Sequence, residues 1–144
     1  MPLPNGPLLE ALNSVGEYVE SQVAQASAVA LTTATTANVT SITLPAGDWN
    51  IFGTVGFIPA ASTSITVLGA GSSQTSATLD ALGTAFGFTQ AAVVPTAVPQ
   101  LFSIPMDRVV LTQTTTIYLV ARATFTVSTL GAFGVLSARR ASLL

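Results

Sequence analysis

The fold is decided by the stretch Thr43-Leu-Pro-Ala-Gly-Asp-Trp-Asn-Ile-Phe-Gly-Thr-Val-Gly-Phe-Ile-Pro59. Its segment Pro45–Asp48 has the composition of a turn, because proline presets φ and glycine tolerates positive φ. From Trp49 onward the residues alternate with period two, which predicts a strand. One side of that strand is expected to face a core through Trp49, Ile51, Val55 and Phe57. The other side carries Phe52 and Ile58 among small residues, so we expect both faces to be covered.

Seven further segments have the Thr/Val/Ile/Leu-rich or alternating pattern of strands: Val29–Thr33, Val39–Leu44, Ser64–Ala70, Phe86–Gln90, Arg108–Thr112, Thr116–Phe125 and Ala132–Arg139. Residues 59–63 have the composition of a turn and residues 71–84 that of a long loop. The prolines between Val94 and Pro105 exclude a central strand and indicate an edge strand or a long crossover. About eight strands predict an all-β fold, a jelly-roll sandwich, with Ile117, Leu119 and Phe125 also in its core.

The beginning of the chain has a different pattern, which predicts a helix over residues 7–27. Apolar residues recur there at helical spacing and form one stripe: Leu8, Leu12, Val15, Val19 and Val23. The pattern therefore divides the chain into an N-terminal helix, 1–27, and a β-domain, 28–144. The helix could lie on its own domain, but we favour a stalk or an anchor into a larger assembly.

The composition indicates self-association. Only 7% of the 144 residues are charged, against about 25% in ordinary soluble domains, and 49% are apolar. No run of 18 apolar residues exists, so membrane insertion through a spanning helix is not expected. A net charge of −2 with four scattered arginines argues against nucleic-acid binding. We expect sister subunits to cover the second strand faces through Phe52, Tyr118, Arg122 and Phe133.

The side chains that usually carry catalysis are scarce. The chain has no Cys, His or Lys, so we predict that it is not an enzyme. No zinc site and no cofactor are expected, and nothing in the spacing of Asp48, Asp80 and Asp107 requires calcium on a threefold axis.

Two charged pairs have simple interpretations in the sequence. Asp107-Arg108 is expected to form a local ion pair at the start of a strand. Arg139-Arg140 is expected to be a solvated tail.

Three segments together carry a family resemblance: Ile42–Phe57, Thr114–Phe125 and Ala132–Arg140. Their combined pattern resembles a group of small phage virion proteins that are similar to the knob domains of phage fibres. Those knobs are trimeric jelly rolls of the tumour-necrosis-factor/complement-C1q type. The resemblance covers roughly residues 28–140 and implies a homotrimer on the exterior of a bacteriophage particle.

Two functions are compatible with this resemblance. The first is a tail-fibre or adhesin-like knob that contacts the host surface, with a surface glycan as ligand. The second is a capsid decoration protein, a cement or head-fibre subunit that stabilises or ornaments the shell. Loops 59–63 and 71–84 contain mostly small residues, yet the fibre-knob resemblance favours host contact. In either case residues 1–27 are expected to bind other virion proteins.

Overall fold

The computed structural model describes residues 15–81, 86–91 and 97–142. These residues form nine β-strands and one 3-10 turn at Gln25–Ser27. In chain order the strands are β1 Tyr18–Val23, β2 Val29–Ala30, β3 Ala37–Leu44, β4 Gly47–Pro59, β5 Ser64–Ser73, β6 Phe86–Ala91, β7 Gln100–Leu111, β8 Thr115–Thr126 and β9 Leu130–Ser142. The all-β class predicted from the sequence is confirmed. In the described part of the chain, no helix is long and apolar enough to span a membrane.

The strands form two antiparallel sheets that pack as a sandwich. Sheet A has the order β1-β9-β4-β7, with the short β2 also paired to β9. Sheet B has the order β3-β8-β5-β6. The long strands therefore pair in a nested way, first with last and inward from there, which is a jelly-roll-like arrangement.

Strand β4 is the centre of sheet A. It is hydrogen-bonded to β9 on one edge and to β7 on the other over most of its length. Its alternation places four large side chains in the core, where Trp49, Ile51, Val55 and Phe57 are all buried. From sheet B, the side chains of Ile117, Leu119 and Phe125 are buried in the same cluster. Burying each such side chain contributes about 1.5–3 kcal/mol.

The prediction of a helix over residues 7–27 is wrong for the part that the structure describes. Tyr18–Val23 is a strand at the edge of sheet A, paired with β9 from Tyr18↔Arg139 to Val23↔Gly134. Val19 and Val23 pack against the core from this strand, and Val15 is exposed just before it. Leu8 and Leu12 lie outside the described residues, as does the rest of 1–14.

The helix prediction failed because the apolar residues of this segment fit both the helical period of 3.6 and the strand period of 2. Val19, Ser21 and Val23 also alternate with Tyr18, Glu20 and Gln22, and the second set is the exposed one. An isolated helix of this length is marginal in water. Pairing with the open edge of β9 satisfies the backbone N–H and C=O groups of every second residue of the segment. The period-two alternation of the segment also buries Val19 and Val23, so the strand is more stable here than a helix.

The remaining differences from the predicted strands concern their ends. β5 continues to Ser73 into the predicted loop, whereas β2 is only two residues long. β7 already begins at Gln100 and lies at the edge of sheet A, as the prolines allowed. Pro105 falls at a bulge of β7, where the partner of β4 shifts from Asp107 to Ile104.

Candidate interaction surface

The outer side of sheet A, here called the A face, is apolar and open in the single chain. Three of its β7 side chains are largely exposed, Leu101 by 67%, Met106 by 63% and Val110 by 57%. Phe52 and Val135 contribute from β4 and β9 and line a shallow hollow of about 470 Å³ in this face. Exposed apolar patches of this kind mark protein contacts in soluble proteins.

Polar side chains and one tyrosine border the A face along β1. The Tyr18 ring stacks on Phe52 with centroids 6.4 Å apart, and the Arg139 guanidinium lies 5.8 Å from the centroid of the Tyr18 ring. The Tyr18 hydroxyl donates a hydrogen bond to the Glu20 carboxylate and lies 3.0 Å from Ser137 Oγ. An apolar centre with a polar rim is the usual anatomy of an interface.

The outer side of sheet B, here called the B face, is partly covered by the chain itself. The segment Gln74–Ala81, which follows β5, folds back across it. The Asn38 side chain holds this segment by donating to Ser76 Oγ at 2.8 Å and accepting from the Ala77 backbone N–H at 2.7 Å. Leu79 lies against Gly69 so closely that a β-carbon there would be 3.2 Å from Leu79 Cδ2. The second face of sheet B therefore needs no sister subunit at this place.

The four residues predicted to contact a sister subunit do not form one surface. Phe52 and Phe133 lie on the A face, whereas Tyr118 and Arg122 alternate onto the B face. Phe133 is itself buried, because its ring lies on Gly56, where a β-carbon would come within 2.2 Å of the ring. Of the four, Phe52 is the residue that contributes most clearly to the open A face.

At one end of the sandwich lies a buried arginine that the sequence analysis placed in a solvated tail. Arg139 is exposed as predicted, but Arg140 is only 3% exposed. Its guanidinium carbon lies 4.4 Å from the centroid of the Trp49 ring. It donates to Glu17 Oε2 at 2.9 Å and to the Ala46 carbonyl at 2.8 Å, so its charge is paired.

The turn before β4 is shaped around this arginine. Gly47 has φ +151°, and a β-carbon on it would lie 2.2 Å from Arg140 Nη1. The Trp49 indole N–H donates to the Pro45 carbonyl at 3.0 Å, which fixes the ring against the same turn. Gly47, which predicted a turn in the sequence, is thus also required because the Arg140 side chain, almost a hundred residues away, leaves no room for a β-carbon.

The second ion pair joins β4 to β7 and differs from the one predicted. Arg108 does not pair with its neighbour Asp107; its Nε and Nη2 donate to the Asp48 carboxylate at 3.0 and 2.5 Å. Because Arg108 and Ser142 donate to it, the pKa of the Asp48 carboxyl is lowered from its ordinary 3.8, although burial opposes this. The same contact raises the pKa of Arg108. Neighbours in a strand point to opposite faces, which explains why Asp107 and Arg108 do not meet.

The described residues contain no group of three or more His, Cys, Asp or Glu side chains placed to hold one metal ion. The absence of a cofactor stays a prediction.

Comparison with known proteins gives only distant similarity. No protein-family model and no curated protein matches the chain. Among solved structures it is similar to a chain of infectious bursal disease virus, Gx strain, with 19% identity and a TM-score of 0.43 over 89% of this chain. A chain of the Gt strain gives 17% identity and a TM-score of 0.45 over 88%. This chain spans 30% of the length of each.

Replacing Arg140 by alanine is expected to destabilise the fold strongly, by roughly 3 kcal/mol, because Ala46 and Glu17 lose their donor and Trp49 its cover. Arg139→Ala is the matched control, since it removes the same charge from an exposed neighbour and is expected to cost no more than about 0.5 kcal/mol. Urea unfolding followed by circular dichroism measures both. Equal losses in the two variants would contradict a structural role of the buried guanidinium.

Asp48→Asn is expected to lower the urea unfolding midpoint at pH 7, because the carboxylate that Arg108 and Ser142 stabilise is lost. The folded-state pKa of Asp48 lies below 3.8, so its contribution is complete above that pH and disappears as the pH falls through the folded-state pKa. The difference between wild type and variant should therefore shrink below pH 3.8. A difference that is the same at pH 7 and at pH 2.5 would refute this assignment.

Proposed function

We propose that this chain is a non-enzymatic structural subunit of a virus particle that assembles into a homotrimer through its A face. The observation that carries the proposal is the contrast between the two outer faces. The chain covers part of the B face with its own segment 74–81, but leaves three large apolar side chains, Leu101, Met106 and Val110, exposed on the A face. A second copy of the chain is the occupant that the low charge of the whole sequence favours.

The trimeric state and the virion location rest on the family resemblance of residues 28–140. The nested strand pairing agrees with the jelly roll that this resemblance implies. We propose that the anchor to other virion proteins, predicted for residues 1–27, lies before Val15, because Tyr18–Val23 pairs with β9 in sheet A. We keep the exterior of the particle as the proposed location.

Two roles on the particle remain candidates, and the position of segment 74–81 bears on the choice between them. A knob that contacts a host glycan needs loops that project from the end of the sandwich and carry aromatic or charged side chains. Segment 74–81 instead lies along sheet B and is tied to Asn38. This arrangement favours capsid decoration, whereas the resemblance to fibre knobs favours host contact, with weak single sites multiplied by trimerisation.

The oligomeric state tests the A face directly. Light scattering of the purified protein should give three times 14.6 kDa at micromolar concentration. The double variant Leu101→Glu/Val110→Glu should give one times that mass with an unchanged circular dichroism spectrum, because both side chains are solvent-exposed in the single chain. Ser41→Glu, on the exposed outer side of β3, is the control and should leave the mass unchanged. A wild-type monomer would overturn the proposal.

A particle that lacks this protein distinguishes the two roles. If the subunit is a knob, adsorption to host cells falls and survival on heating is unchanged. If it is a decoration subunit, adsorption is normal and heat survival falls. Normal values of both would argue against either role. Adding back the protein without residues 1–14 should fail to restore the lost property, because those residues precede β1 and carry the proposed anchor.

A further inference from the structure

A second hollow lies between the end of β5 and strand β7, at the border of the A face, because Arg108 and Val110 also line it. Its volume is about 350 Å³, and its lining includes Ser72 and Ser73 of β5, Asp80 of segment 74–81, and Asp107 of β7. Asp107 alternates toward the interior of the sandwich opposite Ile51. The hollow therefore joins sheet A, sheet B and the segment that covers the B face.

The hollow brings together two carboxylates, and Arg108, which also lines it, forms no ion pair with either of them. Burial and the nearby charge of Asp80 both raise the pKa of the Asp107 carboxyl. The adjacent Arg108 does not neutralise them, since its guanidinium is held by Asp48. Among the described residues, the two ion pairs are Arg108–Asp48 and Arg140–Glu17, and neither includes Asp80 or Asp107.

A buried hydroxyl in the same hollow also lacks a partner. Ser72 is 6% exposed, and its Oγ makes no hydrogen bond with the described residues. The neighbouring Ser73 shows the contrast, because its Oγ accepts from the Thr75 N–H and donates to the Thr75 carbonyl, both at 3.0 Å. Buried polar atoms are nearly always satisfied, so the Ser72 hydroxyl, in a hollow that two carboxylates also line, is free to bind a ligand.

The geometry points to a calcium site in this hollow, formed by the carboxylates of Asp80 and Asp107 and the hydroxyl of Ser72. Calcium takes six to eight oxygen ligands at about 2.3–2.6 Å, including water, carbonyl and hydroxyl oxygens, so two carboxylates are sufficient charged ligands. The hollow has room for several waters. Magnesium is the weaker fit, because it requires a near-ideal octahedron that a strand and a loop segment do not supply.

The bound ion would connect the two sheets. Asp107 belongs to β7 of sheet A, whereas Ser72 belongs to β5 of sheet B and Asp80 to the segment that covers the B face. Calcium would hold segment 74–81 in place and stabilise the sandwich against unfolding.

The test is calcium titration of the full chain by calorimetry, together with its melting temperature in CaCl₂, in MgCl₂ and in NaCl of equal ionic strength. We expect a Kd on the order of 10⁻⁴–10⁻³ M for calcium, as in extracellular calcium modules. The melting temperature should rise by several degrees in CaCl₂ and much less in the other two salts. No calcium-specific rise in the wild type would overturn the proposal.

Variants separate binding from general electrostatics. Asp107→Asn should abolish the calcium response, while its melting temperature without calcium should equal or exceed that of wild type, because a desolvated and repelled charge is removed. Ser72→Ala should weaken calcium binding severalfold with little change in the calcium-free protein. Glu20→Gln, which removes one charge from the border of the A face, is the matched control and should respond as wild type does. An unchanged calcium response in Asp107→Asn would refute the site, and so would a lost response in Glu20→Gln.

Discussion

Sheet A takes its register from β4, the one strand of that sheet with a long partner on each edge and a core-facing row of four large apolar side chains. A one-residue slip of β4 would turn Trp49, Ile51, Val55 and Phe57 to the outside. Arg140 and Gly47 oppose that slip at one end, since the guanidinium lies over Trp49 and occupies the space that a β-carbon on residue 47 would need. The apolar row and the buried cation thus specify the same alignment by independent means.

The outer faces of the two sheets differ in how they are built from a sequence with few charged residues. On sheet B the chain uses small residues, with Gly69 and Gly71 in β5, so that segment 74–81 can lie close to the sheet. On sheet A it leaves Leu101 and Val110 exposed and Phe52 half-buried. Because the same sequence covers part of one sheet with small residues and a loop segment, the exposed apolar A face is specific to sheet A. It is not a general consequence of the low charge of the chain.

Much of the fold followed from period-two alternation, which located seven of the strands well enough to predict the sandwich and its core. The errors have local physical causes. Val19 and Val23 suit a helix and a strand equally, and the edge of a strand more than a hundred residues away decides between them. The partners of Arg140 and Arg108 depend on cross-strand register, which alternation alone does not fix. The hollow with Asp80, Asp107 and Ser72 likewise exists only after both sheets have formed.

The position of β9 has a consequence for how the chain folds. It is the last of the strands that the structure describes, yet it lies between β1 and β4 in sheet A. Pairing Tyr18 with Arg139 closes a loop of about 120 residues, which carries a large entropic cost before any contact offsets it. Until β9 has been synthesised and has paired with β1 and β4, β1 has no neighbouring strand and β4 has an open edge. Such open edges pair readily with other chains. Correct folding of this molecule therefore requires β9 to pair with β1 and β4 before a strand of another chain pairs with the open edge of β4.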